Sequence, residues 1–140
     1  MTSAPKPGAS PPATTAGAAR PKYYDLNLAH LPLPGLVSIV HRISGALLFF
    51  PVIPAVLYLM QASLGSEEGW QRWARFLADP VVKLAAIGGV WLYAHHFFAG
   101  IRYLLLDVHV GVHKGAARRS AGAVFVLGLA TAALVGWRLW

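Results

Sequence analysis

The stretch LVSIVHRISGALLFFPVIPAVLYLMQ, residues 36 to 61, decides the fold of this 140-residue chain. As a helix rising about 1.5 Å per residue, it is long enough to cross the roughly 30 Å hydrocarbon core of a bilayer. Pro51 and Pro54 lie inside the stretch, and membrane helices tolerate such prolines as kinks. We therefore predict a transmembrane helix over about residues 36–61.

Two further apolar blocks follow, at about residues 81–106 and 121–140. Between the first two blocks, residues 65–80 are polar and carry two tryptophans, which favour the headgroup zone and an amphipathic turn or short helix. Residues 107–119 form a second connection, rich in glycine, histidine and basic residues. The pattern predicts an all-α membrane protein with three transmembrane helices.

The N-terminal segment has a different composition from the rest of the chain. Residues 1–22 are rich in proline, alanine, serine and threonine and have no periodic apolar pattern. Such a segment buries too little surface to offset the entropy of ordering. We predict a disordered tail at 1–22 and a single membrane domain at 23–140.

The composition excludes several classes of protein. Hydrophobic residues make up 56% of the chain and charged residues 12%, against about 25% charged in soluble domains. The formal charge is +7, but the basic residues lie between the apolar blocks, which argues against nucleic-acid binding. The chain has no cysteine, so a redox cofactor would need histidine or methionine ligands.

The distribution of lysine and arginine predicts the orientation in the membrane. Six basic residues lie on the side of the N-terminus and the second connection, and four on the opposite side. Because basic residues favour the cytoplasmic side, we predict a cytoplasmic N-terminus and an external C-terminus. The six are Lys6, Arg20, Lys22, Lys114, Arg118 and Arg119, and the four are Arg72, Arg75, Lys83 and Arg138.

Ionisable residues inside the apolar blocks are candidates for function, since a buried arginine costs roughly 2.5–3.5 kcal/mol on insertion scales. His41 and Arg42 lie roughly 9 Å into the first span, Arg102 roughly 7 Å from the same side, and His96 roughly 16 Å deep. A shared half of the membrane would let these four residues form one site. Alternatively, the arginines extend to the headgroups.

The faces of the helices separate these residues further. Ser38 and Arg42 are four residues apart, so a hydroxyl and a guanidinium could share a quinone carbonyl or a carboxylate. Alternatively, Ser38 bonds to its own backbone. On the second helix, small residues flank His96 and leave room for a flat macrocycle or for a closely packed helix. His95 points about 100° away, and we expect one histidine to be a ligand and the other a hydrogen-bonded interior residue.

Two motifs resemble a known family. Ser38–Gly45, SIVHRISG, resembles the S-I-x-H-R-x-S-G signature of the succinate dehydrogenase cytochrome b subunit. His96–Arg102, HFFAGIR, with Asp107 after it, resembles the H-x-x-x-G-I-R-H-x-x-x-D signature of that family's second helix. Arg20-Pro21 resembles the segment that precedes the first helix. The resemblance covers about residues 20–140, and two motifs in register make it specific.

The resemblance implies roles for individual residues. It implies that His96 is an axial ligand of a b-type haem iron, with His41 and Arg42 near the haem propionates. It implies that Ser38 and Arg42 line the ubiquinone pocket. Tyr103 is a departure, because the family often has histidine after G-I-R.

The resemblance also implies the setting. The chain would be the membrane anchor of succinate:ubiquinone oxidoreductase in a bacterial inner membrane, passing electrons from succinate to quinone in the tricarboxylic acid cycle and respiratory chain. A second small membrane subunit would supply the other ligand of one shared haem b, and flavoprotein and iron–sulfur subunits would oxidise succinate. The chain has no paired carboxylates or activated nucleophile, so alone it is not expected to be an enzyme.

Two alternatives stay open. One is the anchor of a fumarate reductase, which runs the reaction in reverse. The other is a small anion channel or transporter subunit whose arginines bind the anion. A haem b signal in a reduced-minus-oxidised spectrum would exclude the channel.

Overall fold

The computed structural model describes residues 31–140, so the predicted tail at 1–22 and the Arg20-Pro21 segment lie outside the described residues. Three of the described helices are long and apolar enough to cross a membrane. The prediction of an all-α membrane protein with three spanning helices is confirmed. We number the helices α1, Leu33–Leu64; α2, Glu67–Ala78; α3, Pro80–Asp107; and α4, Lys114–Leu139.

Helix α1 consists of two α-helical halves joined by a wider turn. The first half, Leu33–Leu47, and the second half, Ile53–Leu64, are separated by a π-helical turn, Leu48–Val52, that contains Pro51. Proline has no N–H to donate, and a π turn is one way a helix accommodates the missing bond. The first half packs against α3 and α4, whereas the second half packs mainly against α2.

The short helix α2 is stabilised at its N-terminus. The Ser66 hydroxyl accepts a hydrogen bond from the Gly69 N–H at 3.0 Å, and Glu67 and Glu68 occupy the first turn, where the helix dipole favours negative charge. Arg75 lies in the last turn. The amphipathic segment expected between the first two apolar blocks is therefore a helix.

Helices α3 and α4 are joined by a tight reversal. The chain turns at His109 and Gly111, whose φ angles of 63° and 78° lie in the left-handed region. Helix α4 then begins at Lys114. The sequence placed the start of the third span at about Ala121, so the helix begins earlier than the apolar block. It includes basic residues that we had assigned to the connection.

The core lies where α3 and α4 pack against the first half of α1. Small residues allow the backbones to approach: a Cβ added at Gly128 of α4 would lie 3.5 Å from the His95 backbone of α3. The buried cluster at this end is apolar and is partly covered by Phe98, Tyr103 and Phe125. Its members are Val37, Ala99, Ala121 and Val124.

Candidate haem and quinone site

His96 connects α3 to α1. Its Nδ1 atom lies 3.1 Å from the His41 carbonyl oxygen and 3.2 Å from Ser44 Oγ. The ring lies so close to α1 that a Cβ added at Gly45 would stand 2.9 Å from His96 Cε1. The imidazole therefore fits against α1 only because residue 45 is glycine.

The neighbours of Nδ1 determine which ring nitrogen of His96 carries the proton. A carbonyl oxygen can only accept, so the His41 carbonyl requires an N–H at Nδ1. The Ser44 hydroxyl donates to the same carbonyl at 3.0 Å, which leaves its lone pairs to accept from Nδ1. In neutral imidazole the other nitrogen, Nε2, then has a free lone pair, as a metal ligand must.

His41 lies directly beside His96. The two rings are stacked, with centroids 4.2 Å apart and planes inclined by 13°. The Tyr103 ring also packs against the His41 ring, with centroids 5.2 Å apart. A Cβ added at Gly100 would lie 3.9 Å from His41 Nε2. The structure thus brings together His41 and His96, two of the residues expected to share a site.

A large apolar groove extends from His96 between α1 and α3. Its volume is about 1140 Å³, and Phe76 and Leu77 of α2 form part of its lining. Except for His96, its lining side chains are aliphatic or aromatic. The groove runs along the π turn and second half of α1, which diverge from α3 after Leu47. Its lining includes Leu48, Phe49, Val52, Gly89, Val90 and Tyr93.

Ser38 and Arg42 lie on α1 one turn apart, as expected from their spacing, but outside this groove. Ser38 is partly buried and Arg42 is exposed. No side-chain hydrogen bond formed within residues 31–140 involves either residue. Among the described residues, neither side chain thus has a hydrogen-bonding partner.

Arg102 lies apart from His41 and His96, although the sequence predicted a similar depth in the membrane. It is 6% exposed and points into the interface between α3 and α4. Its Nε donates to Ser120 Oγ at 3.1 Å and its guanidinium also donates to the Ala117 carbonyl at 3.4 Å. The expectation that four polar residues form one site is wrong for Arg102, because it lies on the face of α3 that meets α4. Its guanidinium is instead bonded within the protein, to Ser120 and to the Ala117 carbonyl.

His95 occupies the same interface as Arg102. Its side chain is completely buried and packs against Phe125 of α4, with ring centroids 5.0 Å apart. Neither ring nitrogen has a hydrogen-bond partner within residues 31–140, although the Val37 carbonyl faces the ring. His95 is thus an interior residue, as expected for the second histidine, and the Val37 carbonyl is the backbone group that faces its ring.

Two contributors to the site were not singled out from the sequence. Ser44 and Gly45 both lie in the SIVHRISG motif, and both contact His96. The spacing in the sequence could have identified Ser44. It follows His41 by three residues, which in a helix places its hydroxyl beside the His41 carbonyl. Only the packing of α3 against α1 shows that His96 meets them.

Comparisons with known proteins agree with this architecture. The family model described as succinate dehydrogenase/fumarate reductase transmembrane subunit matches residues 17–135. The chain is also 34% identical over 128 residues to the succinate dehydrogenase cytochrome b556 subunit of Coxiella burnetii. That alignment covers 88% of this chain and 98% of the relative. The chain therefore belongs to the succinate dehydrogenase/fumarate reductase transmembrane subunit family.

Proposed function

We propose that this chain is the cytochrome b anchor subunit of a succinate dehydrogenase and that His96 is an axial ligand of its haem b. The observation that carries the proposal is the pair of acceptors at His96 Nδ1, the His41 carbonyl and the Ser44 hydroxyl. Histidine ligands of metals commonly donate their second N–H to a carbonyl in this way. The relative's name, a cytochrome b556 subunit, supports the same assignment.

The groove beside His96 supports a haem as the occupant. A porphyrin is flat and apolar, and the groove is apolar along its length with an imidazole at one end. Its volume of about 1140 Å³ is slightly larger than the range of about 300–1,000 Å³ that is usual for small-molecule sites. The family resemblance implies that His41 and Arg42 lie near the propionates, whose charge they would balance. When bound, the haem supplies a one-electron carrier within the membrane.

The second axial ligand would come from another small membrane subunit. Two axial ligands approach an iron from opposite faces, but the His41 ring is stacked on His96 and lies on the same side. His95 faces α4 instead. We therefore assign one haem to the interface between this chain and its partner subunit.

Ser38 and Arg42 would bind the ubiquinone head group. A quinone is apolar except for its carbonyls, so it requires an apolar slot with one or two donors. The hydroxyl and the guanidinium lie on one face of α1, and neither is used within the described residues. Reduction places negative charge on the quinone oxygens, which a fixed cation stabilises at low dielectric. Because Arg42 is exposed on this chain, other subunits would complete the pocket.

The chain would act as a non-catalytic anchor within a larger complex. Flavoprotein and iron–sulfur subunits on the cytoplasmic side of a bacterial inner membrane would oxidise succinate, and this chain would pass the electrons on to quinone. The N-terminus would lie in the cytoplasm. The family also includes fumarate reductase subunits, so the anchor of a fumarate reductase is the second candidate. Family membership favours both over an anion channel.

Purification of the tagged chain from its native membrane tests the proposal. We expect copurification of flavoprotein, iron–sulfur and second anchor subunits, a b-type haem signal in the reduced-minus-oxidised spectrum, and succinate-dependent quinone reduction. A fumarate reductase would instead reduce fumarate faster from quinol. Isolation of the chain without haem and without peripheral subunits would contradict the proposal.

A further inference from the structure

We propose that Ser44 is a positioning residue that hydrogen-bonds to the haem-ligating imidazole and lowers the midpoint potential of the haem. The inference rests on the proposed haem ligation by His96 and goes beyond it, because it assigns a function to a residue that does not touch the cofactor. It starts from the location of Ser44, which is completely buried where α1 meets α3.

The hydrogen bonds of Ser44 specify its role. Its hydroxyl proton goes to the His41 carbonyl at 3.0 Å, so its oxygen faces His96 Nδ1, 3.2 Å away, as an acceptor. The His41 carbonyl accepts from the same N–H at 3.1 Å. The imidazole proton is thus shared between two acceptors on α1. Only the hydroxyl can be removed by substitution without disturbing the backbone.

The consequence for a bound iron follows from the basicity of the ligand. Acceptors at Nδ1–H give the imidazole more anionic character, which makes Nε2 a stronger donor. A stronger donor stabilises the oxidised iron more than the reduced iron and lowers the potential. The shift in potential equals the difference in strength of this hydrogen bond between the two oxidation states. It therefore cannot exceed the effect of one whole neutral hydrogen bond, about three- to tenfold, which for one electron is about 30–60 mV.

Ser44 could instead have a purely local role, since serine in membrane helices often bonds to its own backbone. The chain contains a matched control for that role. Ser63 lies in the second half of α1 and donates to the Met60 carbonyl at 3.0 Å, the same three-residue bond as in Ser44. It lies on the opposite half of α1 from His41. Ser63→Ala thus removes the local bond alone.

Redox titration of the haem in the purified whole complex tests the proposal. We expect Ser44→Ala to raise the midpoint potential by up to about 60 mV, Ser44→Cys to raise it less because sulfur is a weaker acceptor, and Ser63→Ala to leave it unchanged. Haem loss from an assembled Ser44→Ala complex would support the same role. If Ser44→Ala prevents assembly of the complex, the midpoint potential of Ser44→Cys tests the proposal instead. A raised potential supports it, and an unchanged potential contradicts it.

An unchanged potential in an assembled Ser44→Ala complex would overturn the proposal, and so would an equal shift in Ser63→Ala. Failure of the underlying haem assignment would be seen separately. In that case the unsubstituted complex would lack a haem b signal, or His96→Ala would retain it.

Discussion

At the residue scale, Gly45 allows the ring of His96 to lie close to α1, because glycine has no Cβ. A Cβ at this position would stand 2.9 Å from His96 Cε1, so Gly45→Ala must displace the ring. We expect about 1–3 kcal/mol of packing strain and a weaker haem signal per complex.

Gly88→Ala is the control for Gly45→Ala, because a Cβ at Gly88 of α3 meets nothing within 4 Å. Alanine is also favoured over glycine inside a helix by roughly 0.5–1 kcal/mol. The haem absorbance per mole of complex should stay normal in this variant. Equal haem content in both variants would show that the close contact at Gly45 is unimportant.

Arg42 provides a second test at this scale. Arg42→Leu removes the proposed donor to the quinone, so succinate-to-quinone activity should fall roughly ten- to a hundred-fold. Succinate oxidation by a water-soluble dye, which accepts electrons upstream of the membrane site, should survive. Arg72→Leu, an exposed arginine of α2, is the control. Normal quinone kinetics in Arg42→Leu would place the pocket elsewhere, and loss of both activities would indicate a role in assembly.

Individual residues show how much of the site could be predicted from the sequence. The helical period separated His95 from His96, and the structure places them on different faces of α3. The same period could not identify which helix each face meets. Arg102 was therefore grouped with the site from its depth, although its offset of seven residues from His95 puts it on the face that packs against α4.

At the element scale, the division of α1 creates the groove. The prolines predicted a kink, and the structure places a π-helical turn at Leu48–Val52. The sequence could not show where the second half would point, because that depends on its packing against α2. The result is a helix that contacts α3 near His96 and diverges beyond it.

The interface between α3 and α4 should be sensitive to side-chain size. Gly128→Leu would force a large side chain against the His95 backbone, which already lies 3.5 Å from the position of a Cβ. We expect a loss of about 1–3 kcal/mol of stability, measured as a lower midpoint of thermal unfolding in detergent. Gly115→Leu is the control, because a Cβ there has no neighbour within 4 Å. Equal midpoints would argue against close packing.

At the scale of the whole molecule, hydrophobic length sufficed to predict the three spanning helices. The ends of the helices were harder to predict, because a helix can continue from the hydrocarbon into the headgroup region. Helix α4, for example, begins at Lys114 among basic residues that resemble a loop in composition. The groove between α1 and α3 could not be predicted either, because it depends on how the second half of α1 packs.

The orientation of the molecule is testable directly. The bias of lysine and arginine predicts that Trp140 lies outside the cytoplasm and that the turn between α3 and α4 lies inside. A periplasm-active reporter fused after Trp140 should be active, and the same reporter inserted at Gly111 should be inactive. The reverse pattern would invert the topology.

The central claim, that His96 holds the haem, is tested most directly by comparing two adjacent substitutions. His96→Ala removes the imidazole beside the groove, whereas His95→Leu replaces a buried ring that has no hydrogen-bond partner among residues 31–140. In reduced-minus-oxidised spectra of the purified complex, we expect His96→Ala to lose or weaken the haem b signal and His95→Leu to retain it. Equal loss in both variants, or loss only in His95→Leu, would contradict the assignment.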